Sequence, residues 1–297
     1  MPTLRDVRRR IVGVKKVEKI TRSMKMVAAA KLRRAQSAVV SARPYAKKLL
    51  EILQHLSSGL EAGPVDLFVA RPVARVALVV VTSDRGMCGA FNANLLKAVE
   101  RHVSVSYVER PGTARVSLFC VGRKGAEYFS RRHYSLAGRY VGIFSTLVFA
   151  QAKEIVKDLL DGYRRGDFDR VEIAYNEFKS VSQQRIIIEQ FLPIPPAAFA
   201  GTDRSGGSPG AYLYEPSRGE ILASLVPRHL DFQVWRILLE SNASEQGARM
   251  AAMENATENA EELISTLQLQ YNKARQASIT KELLEIVSGA EALTQSQ

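Results

Sequence analysis

The chain has 297 residues, a formal net charge of +12 and 46% apolar residues, which suffice for one large or two ordinary domains with a hydrophobic core. It contains no apolar run of about eighteen residues and no charged-then-apolar leader, so neither a membrane-spanning helix nor a secretory signal is predicted. Cys88 and Cys120 are its only cysteines, which excludes a disulfide framework and fits a reducing compartment.

The first predicted element is a long helix from residue 4 to about residue 56, in which Pro44 marks a kink or a boundary. Its apolar residues follow mixed three- and four-residue steps. Such a narrow seam is typical of a helix that pairs with one or two other helices. The predicted seam residues are Leu4, Val7, Ile11, Val14, Ile20, Met24 and Val27.

The middle of the chain, from residue 73 to residue 215, predicts an α/β domain. Buried-strand patterns alternate there with helical patterns, which implies a mostly parallel, doubly wound sheet of Rossmann-like architecture. A linker at 59–72 precedes the domain, and a Gly- and Ser-rich stretch at 201–210 predicts a flexible loop. The predicted strands are 75–81, 115–121, 171–175 and 185–191, and the predicted helices are 92–102, 123–132 and 146–163.

The last predicted element is a helix of some sixty residues, from 230 to 293, preceded by a short helical segment that ends before Pro227. At 1.5 Å per residue the long helix would reach roughly 90 Å, about three times the diameter of a small domain. Small residues at helical spacing let a partner helix approach closely, so we expect a tight coiled pair. Its apolar side is formed by Ala243, Ala248, Ala251, Ala252, Ala256, Ala260, Leu263, Leu267, Tyr271 and Ala274.

These elements predict an α/β protein in which long N- and C-terminal helices form an antiparallel coiled coil with the Rossmann-like domain inserted between them. The predicted boundaries are 1–58, 73–215 and 216–297. Residues 1–48 carry fifteen Lys or Arg against two acidic residues, a balance of +13, whereas residues 230–297 carry five basic and ten acidic residues, a balance of −5. Exposed ion pairs contribute only about 0–1 kcal/mol each, and the remaining positive charge indicates an acidic partner outside the chain.

Residues 82–92 follow the first predicted strand, where an α/β domain carries its ligand loop. Gly86 and Gly89 match neither the dinucleotide-binding nor the P-loop spacing. An activated thiolate at Cys88 is an open alternative, but no histidine motif is tied to it, so a packed thiol in a tight turn is favoured. Asp84 and Arg85 are interpreted as a salt-bridged turn. No His or Cys pair has metal-ligand spacing, and we expect no catalytic, cofactor or metal site.

Segments at both ends of the chain carry distinctive motifs. Residues 19–35 read Lys-Ile-Thr-Arg-Ser-Met-Lys-Met-Val-Ala-Ala-Ala-Lys-Leu-Arg-Arg-Ala. They resemble the N-terminal signature of a known protein family, the gamma subunit of F-type ATP synthases. Residues 267–283 and 287–290 resemble its C-terminal signature, and the shorter segments 83–89, 175–180 and 240–245 are also similar. The resemblance implies a central-stalk rotor without an active site of its own, which couples ion flow through a membrane ring to ATP synthesis or hydrolysis elsewhere.

The resemblance also implies partners, namely the hexamer of alpha and beta subunits, the epsilon subunit and the membrane c-ring. It implies no cofactor and no nucleic acid, and a peripheral position on the cytoplasmic face of a bacterial inner membrane. Arg275 and Gln276 correspond to a polar pair that contacts a catalytic-subunit loop, Thr280 and Glu282 lie on the following turn, and Met24 matches a position beside an acidic loop of the beta subunit. The apolar tip that resembles the part held in a bearing consists of Leu283, Leu284, Ile286 and Val287.

Two other functions are consistent with the residues alone. The basic N-terminal helix is compatible with a coiled-coil scaffold or nucleic-acid-binding protein that carries an α/β domain, although Tyr45 is the one aromatic residue in that helix able to stack on bases. Residues 83–92 are compatible with a nucleotide- or thiol-using enzyme. The match at both ends of the chain favours the rotor over both alternatives.

Overall fold

The structure is a computed structural model that describes residues 3–57, 66–108, 114–181, 183–195, 215 and 217–294. Residues 59–65 of the predicted linker at 59–72 and the predicted loop at 201–210 lie outside these residues, and Asp66–Phe68 of the linker form a 3₁₀ turn. Along the chain, one long helix precedes and another follows the five strands of a single sheet and its shorter helices. The elements are α1 (Leu4–Ser57), β1 (Arg75–Val81), α2 (Phe91–Val103), β2 (Arg115–Val121), α3 (Arg123–Ser130), β3 (Leu136–Tyr140), α4 (Phe149–Arg165), β4 (Arg170–Phe178), β5 (Gln184–Leu192) and α5 (Arg218–Thr294).

The sheet is mostly parallel, and its strand order is β3-β2-β1-β4-β5. β1 lies at the centre and pairs in parallel with β2 and with β4, so that Arg75 stands opposite Arg115 and Val76 opposite Arg170. β5 completes the edge by pairing with β4 in the antiparallel direction. The predicted doubly wound α/β fold with a mostly parallel sheet is therefore confirmed.

Helices cover both faces of the sheet, because successive side chains of β1 point to opposite sides. Ala77, Val79 and Val81 pack into one core cluster with residues of α1, α4 and α5. Leu78 and Val80 pack into a second cluster with residues of α2 and α3. This packing places residues 82–91 at the carboxyl edge of the sheet, where α/β domains carry their ligand loops.

The sequence pattern misses β3, because its residues Leu-Ala-Gly-Arg-Tyr include no β-branched side chain and form an edge strand. Gly138 within β3 permits close packing, since a Cβ at this position would lie 2.4 Å from Cδ1 of Phe119. The predicted helix at 146–163 starts later, at Phe149, because residues Ile143–Ser145 form a separate 3₁₀ turn. Both differences concern short elements whose local signals are weak.

Neither proline of the long helices is a helix boundary. The predicted helix from residue 4 to about residue 56 already contained Pro44, whereas the short segment predicted to end before Pro227 is continuous with the final helix. α1 continues through Pro44 to Ser57, and α5 is one helix of 77 residues that passes through Pro227. A proline within a helix costs about 3 kcal/mol. Buried leucines and valines on both sides of Pro227, among them Leu222 and Leu230, offset this cost by packing into the core.

The chain divides into two compact units. Residues Met1–Val27 and Met250–Gln297 form one, called here the terminal unit, and residues Ala28–Arg249 form the other, called the sheet unit. Within the sheet unit, α1 contributes Leu49, Leu53 and Leu56 to the core against the sheet. In the part of the chain that the structure describes, no helix has the length and apolar character needed to cross a lipid bilayer.

Candidate functional site

The terminal unit is an antiparallel helix pair with a seven-residue repeat. Buried and half-buried positions recur every seven residues along each helix, and a strict heptad of this kind keeps the seam facing the partner of a supercoiled pair. On α1 these positions include Val7, Val14 and Thr21, and on α5 they include Met253, Ala260, Leu267 and Ala274.

The repeat corrects three of the predicted seam residues. Ile20 and Val27 are 58% and 56% exposed, and Leu263 on α5 is exposed as well. Thr21 and Ile264 take the seam positions next to Ile20 and Leu263. The prediction followed the hydrophobicity of each side chain, whereas the supercoiled pair selects positions by their seven-residue spacing and accepts a threonine there.

Polar contacts cross the seam of the terminal unit. The hydroxyls of Thr21 and Thr257 are 2.8 Å apart and buried. Arg22 Nη2 lies 2.6 Å from Glu261 Oε1, and Lys25 Nζ lies 2.5 Å from Glu254 Oε1. The predicted charge complementarity of the two ends is therefore confirmed, although each exposed pair contributes only about 0–1 kcal/mol.

Met24 is half-buried in this helix pair, one residue before the ion-paired Lys25. Arg275 and Gln276 are exposed and lie about twenty residues further along α5 than Glu254, roughly 30 Å at 1.5 Å per residue. Within the described residues, neither the Arg275 guanidinium nor the Gln276 side-chain amide has a polar partner. The structure therefore leaves both side chains available to another molecule and does not bring them next to Met24.

The turn after Gln276 is exposed and carries its own polar contacts. Thr280 Oγ1 donates to the carbonyl oxygen of Gln276 at 2.9 Å, and the Ser278 hydroxyl lies 3.5 Å from Glu282 Oε1. These bonds hold the side chains of Thr280 and Glu282 on α5 itself.

The end of α5 exposes an apolar tip. The register set by Thr21 and Thr257 places Leu4, the first residue of α1, opposite about residue 274, so the following turns of α5 lack an α1 partner. Exposed apolar clusters of this kind mark interaction surfaces. The exposed fractions are 58% for Leu283, 62% for Leu284, 68% for Ile286 and 52% for Val287.

In the sheet unit, the loop after β1 packs a buried thiol. Cys88 is 2% exposed, and Asn92 Nδ2 lies 3.2 Å from its sulfur. Burial raises the pKa of Cys88, so the thiol and not the thiolate is the form present at neutral pH. Among the described residues, no group of three or more His, Cys, Asp or Glu side chains is placed to hold a metal ion. The geometry agrees with the packed-thiol interpretation.

Asp84 does not form the predicted salt-bridged turn with Arg85. Its Oδ1 accepts hydrogen bonds from the backbone N–H groups of Arg123 (3.0 Å) and Gly142 (2.8 Å), and its Oδ2 accepts one from Phe144 (3.3 Å). Asp84 thereby ties the residues that follow β2 and β3 to the loop after β1. The prediction paired Asp84 with Arg85, the cation next to it in sequence, whereas in the fold three backbone N–H groups donate to the Asp84 carboxylate.

Sequence reasoning also missed a buried ion pair on α5. Glu245 and Arg249 are 5% and 9% exposed, and Arg249 Nη2 lies 2.6 Å from Glu245 Oε1. The same nitrogen donates to the carbonyl oxygen of Arg85 at 3.3 Å, which joins α5 to the loop after β1. Burial raises the pKa of Glu245 to about 6, and Arg249 opposes this shift. The Glu-to-Arg spacing of four residues was the available signal.

The raised pKa of Glu245 predicts a pH-dependent stability. Because its folded-state pKa of about 6 exceeds the ordinary value of 4.5, the folded state binds the proton more tightly. Relative to the variant Glu245→Gln, the native chain should therefore lose about 1.5 kcal/mol of unfolding free energy as pH rises from about 4.5 to about 6.5. Urea unfolding of both proteins across this range measures the difference, and parallel pH profiles would contradict the assignment.

A cavity of about 1030 Å³ lies between α1, β5 and α5 in the sheet unit. Its wall includes Leu50 and Phe191, and Arg236 Nη1 lies 3.1 Å from Glu240 Oε1 at its side. Burial lowers the pKa of His229, another wall residue, to about 4, so its imidazole is neutral at neutral pH. The wall therefore presents mainly apolar surface, with the ion pair of Arg236 and Glu240 at its side and the cations Arg43 and Lys47 also in its lining.

Tyr45, the aromatic residue that the nucleic-acid alternative requires, packs against α5. Its ring centroid lies 5.0 Å from that of Phe232, at an interplanar angle of 50°. A ring held in this way offers less surface to a base than an isolated one. Tyr45 nevertheless remains 53% exposed.

Comparisons with known proteins match nearly the whole chain. The model of a family described as ATP synthase matches residues 3–293. The ATP synthase gamma chain of Chlorobaculum parvum is 50% identical over 296 residues, covering 99% of this chain and 100% of the relative. The ATP synthase gamma chain of Chlorobium chlorochromatii is 51% identical over 294 residues, covering 99% of each.

Solved structures show the same fold. A chain of the central stalk and c-ring of the Tetrahymena thermophila mitochondrial ATP synthase is 26% identical with a TM-score of 0.57, covering 80% of this chain and 99% of that one. A chain of the Euglena gracilis mitochondrial ATP synthase in rotational state 3 is 23% identical with a TM-score of 0.67, covering 98% and 94%. The similarity thus includes both long helices and the sheet.

Proposed function

This chain belongs to the family of ATP synthase gamma chains, and we infer that it is the central-stalk rotor of an F-type ATP synthase. The observation that carries this inference is the family match across residues 3–293, with identities near 50% over the full length of gamma chains. The scaffold or nucleic-acid-binding alternative is not favoured. The chain contributes no catalytic group to the complex and acts by rotation.

We propose that the chain assembles with the alpha and beta subunits, the epsilon subunit and the membrane c-ring. The relative from Tetrahymena is described as part of a central stalk and c-ring, which supports this assembly. The excess positive charge of the N-terminal helix supports an acidic partner outside the chain, since only part of it is paired with α5. The chain is then peripheral to the membrane, on the cytoplasmic face of a bacterial inner membrane.

The proposed division of labour follows the predicted domains. Of the predicted helical domains at 1–58 and 216–297, the part in the terminal unit is the coiled coil that turns inside the hexamer. The α/β domain, predicted at 73–215, stands on the c-ring beside the epsilon subunit. Rotation of an asymmetric rod changes which catalytic subunit it contacts. Coupling of this kind requires contacts that differ between the states of the catalytic subunits, and no chemistry on the shaft.

We propose that Arg275 and Gln276 make such contacts, because both side chains are exposed and unpartnered among the described residues. Met24 contacts an acidic loop of the beta subunit from within a strongly basic surface, and Thr280 and Glu282 support the same interface as Arg275. The exposed tip of Leu283, Leu284, Ile286 and Val287 turns in an apolar bearing, where burial of its surface stabilises the complex.

Reconstitution tests the proposed function. Mixing the chain with the alpha and beta subunits of its own organism should yield a complex of three alpha, three beta and one copy of this chain. Its steady ATP hydrolysis should depend on the chain, with the mixture of alpha and beta alone as the control. If no complex forms and the chain instead binds duplex DNA with steep salt dependence, the nucleic-acid alternative is correct.

A further inference from the structure

Burying the ion pair of α5 costs desolvation free energy that an apolar pair of similar volume would not. Taking the Glu245 carboxylate out of water disfavours its charged form, which is why its pKa rises. An apolar pair of similar volume would pack there at equal or lower cost, and removing one partner of a buried pair is destabilising. Perturbed carboxylates of this kind cluster at functional positions. The charge of Glu245 therefore calls for a role beyond packing.

The pair lies where α5 meets the loop after β1. Ala248, which precedes Arg249 on α5, belongs to a buried cluster with Cys88 of that loop and with Phe91, the first residue of α2. Arg249 is the last residue of the sheet unit, and its guanidinium reaches the Arg85 carbonyl. We call Glu245, Arg249 and the Arg85 carbonyl the clamp. It is a polar connection that fastens α5 to the α/β domain at the end of that unit.

The charges around Glu245 make the clamp depend on its carboxylate. Arg249 and Gln246 contact the carboxylate from α5, Lys31 faces it from α1, and Asp84 and Arg85 face it from the loop after β1. The Cys88 thiol of the same loop lies in the field of both Glu245 and Arg249. When Glu245 is neutral, Arg249, Lys31 and Arg85 keep their positive charges. Asp84 is then the one negatively charged residue among these groups. Mutual repulsion then drives Arg249 away from the Arg85 carbonyl.

We propose that Glu245 is a positioning residue whose carboxylate holds Arg249 on the Arg85 carbonyl, so that the stretch of α5 around residues 245–249 stays fixed to the loop after β1 while the chain turns. This inference rests on the proposed function, because a torque must pass between the two elements for the clamp to matter. Opening the clamp lowers the amount of ATP made per turn without removing any group that contacts nucleotide. Acidification opens it by protonating Glu245.

The first test compares the native complex with Glu245→Gln in membrane vesicles. The measured quantity is the rate of ATP synthesis divided by that of ATP hydrolysis. At about pH 7.5 we expect the native ratio to exceed that of the variant about threefold. At about pH 5.5 this difference should be much smaller, since native Glu245 is then mostly protonated. Glu258→Gln, an exposed glutamate on the same helix, is the matched control and should equal the native protein at both values.

This pH profile separates a positioning role from a structural one. Protonation of Glu245 stabilises the folded state, because its pKa is higher there than in the unfolded chain. On acidification the unfolding free energy should therefore rise, whereas the coupling ratio should fall. Equal coupling of variant and native complexes at about pH 7.5, or a deficit that does not change with pH, would overturn the proposal. Failure of the native chain to form any complex with alpha and beta would instead refute the proposed function.

A second measurement uses the full chain alone. Cys88 lies under the clamp, whereas Cys120 is buried within the sheet. With a neutral alkylating reagent, and with each rate divided by the thiolate fraction of that cysteine, Glu245→Gln should raise the labelling rate of Cys88 about tenfold and leave that of Cys120 unchanged. The Cys120 rate serves as the internal control for global unfolding. Unchanged labelling of Cys88 would show that the carboxylate does not hold α5 against the loop.

Discussion

Replacing Arg275 with Glu and Gln276 with Leu together should reduce coupled ATP synthesis by the assembled complex about tenfold or more. A charge-assisted hydrogen bond contributes about 1.5–3 kcal/mol, and about 1.4 kcal/mol corresponds to a tenfold change in rate. Charge reversal adds repulsion if the partner loop is acidic. Synthesis rates in reconstituted vesicles measure this effect directly.

The same double variant should leave the isolated chain folded. Both side chains are exposed, and within the described residues neither has a polar partner whose loss would destabilise α5. The matched control is Lys273→Glu with Gln270→Leu, which makes the same chemical changes at two other exposed positions of that helix. Native synthesis rates in the Arg275 variant, or an equal loss in the control, would refute the proposed contact.

Gly122→Ala should destabilise the sheet unit by about 3–5 kcal/mol. Gly122 follows β2 with a φ of +93°, a conformation that L side chains rarely adopt, and a Cβ there would lie 2.1 Å from the carbonyl oxygen of Thr82. Backbone atoms cannot rotate away as a flexible side chain can, so the end of β1 must shift. Urea unfolding followed by the fluorescence of Trp235, the single tryptophan, measures the loss.

Two other glycines separate the causes of this loss. Gly142 has a φ of +86°, but a Cβ added to it would meet no atom of a non-neighbouring residue within 4 Å, so Gly142→Ala should cost only about 1 kcal/mol of conformational strain. Gly86 has no positive φ, and its Cβ would meet only Lys124 Cε at 3.9 Å, so Gly86→Ala should change stability by less than about 0.5 kcal/mol. Similar losses in all three variants would refute the steric explanation.

Local pattern was sufficient wherever the signal repeats along the chain. The β-branched run of β1 predicted a buried central strand, and its alternating side chains fill two separate core clusters. The opposite charges of the chain ends predicted their pairing, which Lys25 and Glu254 make across the terminal unit. Both the hydrophobic run and the charge balance extend over many residues, so one atypical residue does not change the prediction.

The candidate site was less predictable, because partners distant in sequence select its residues. Hydrophobicity favoured Ile20 for the seam, whereas the paired helices placed Thr21 there, opposite Thr257. Sequence adjacency favoured Arg85 as the partner of Asp84, whereas the fold brought the backbone N–H groups of distant residues to its carboxylate. A resemblance, and not a pattern, identified Arg275 and Gln276.

The sequence by itself determined the order of the helices and strands other than β3, the fold class and the pairing of the two ends, because hydrophobic period and charge act through neighbours on one element. Only the tertiary structure decided that α5 runs unbroken through Pro227, since packing on both sides of that residue offsets the lost hydrogen bond. It also decided the raised pKa of Glu245, because desolvation depends on every element that surrounds the carboxylate.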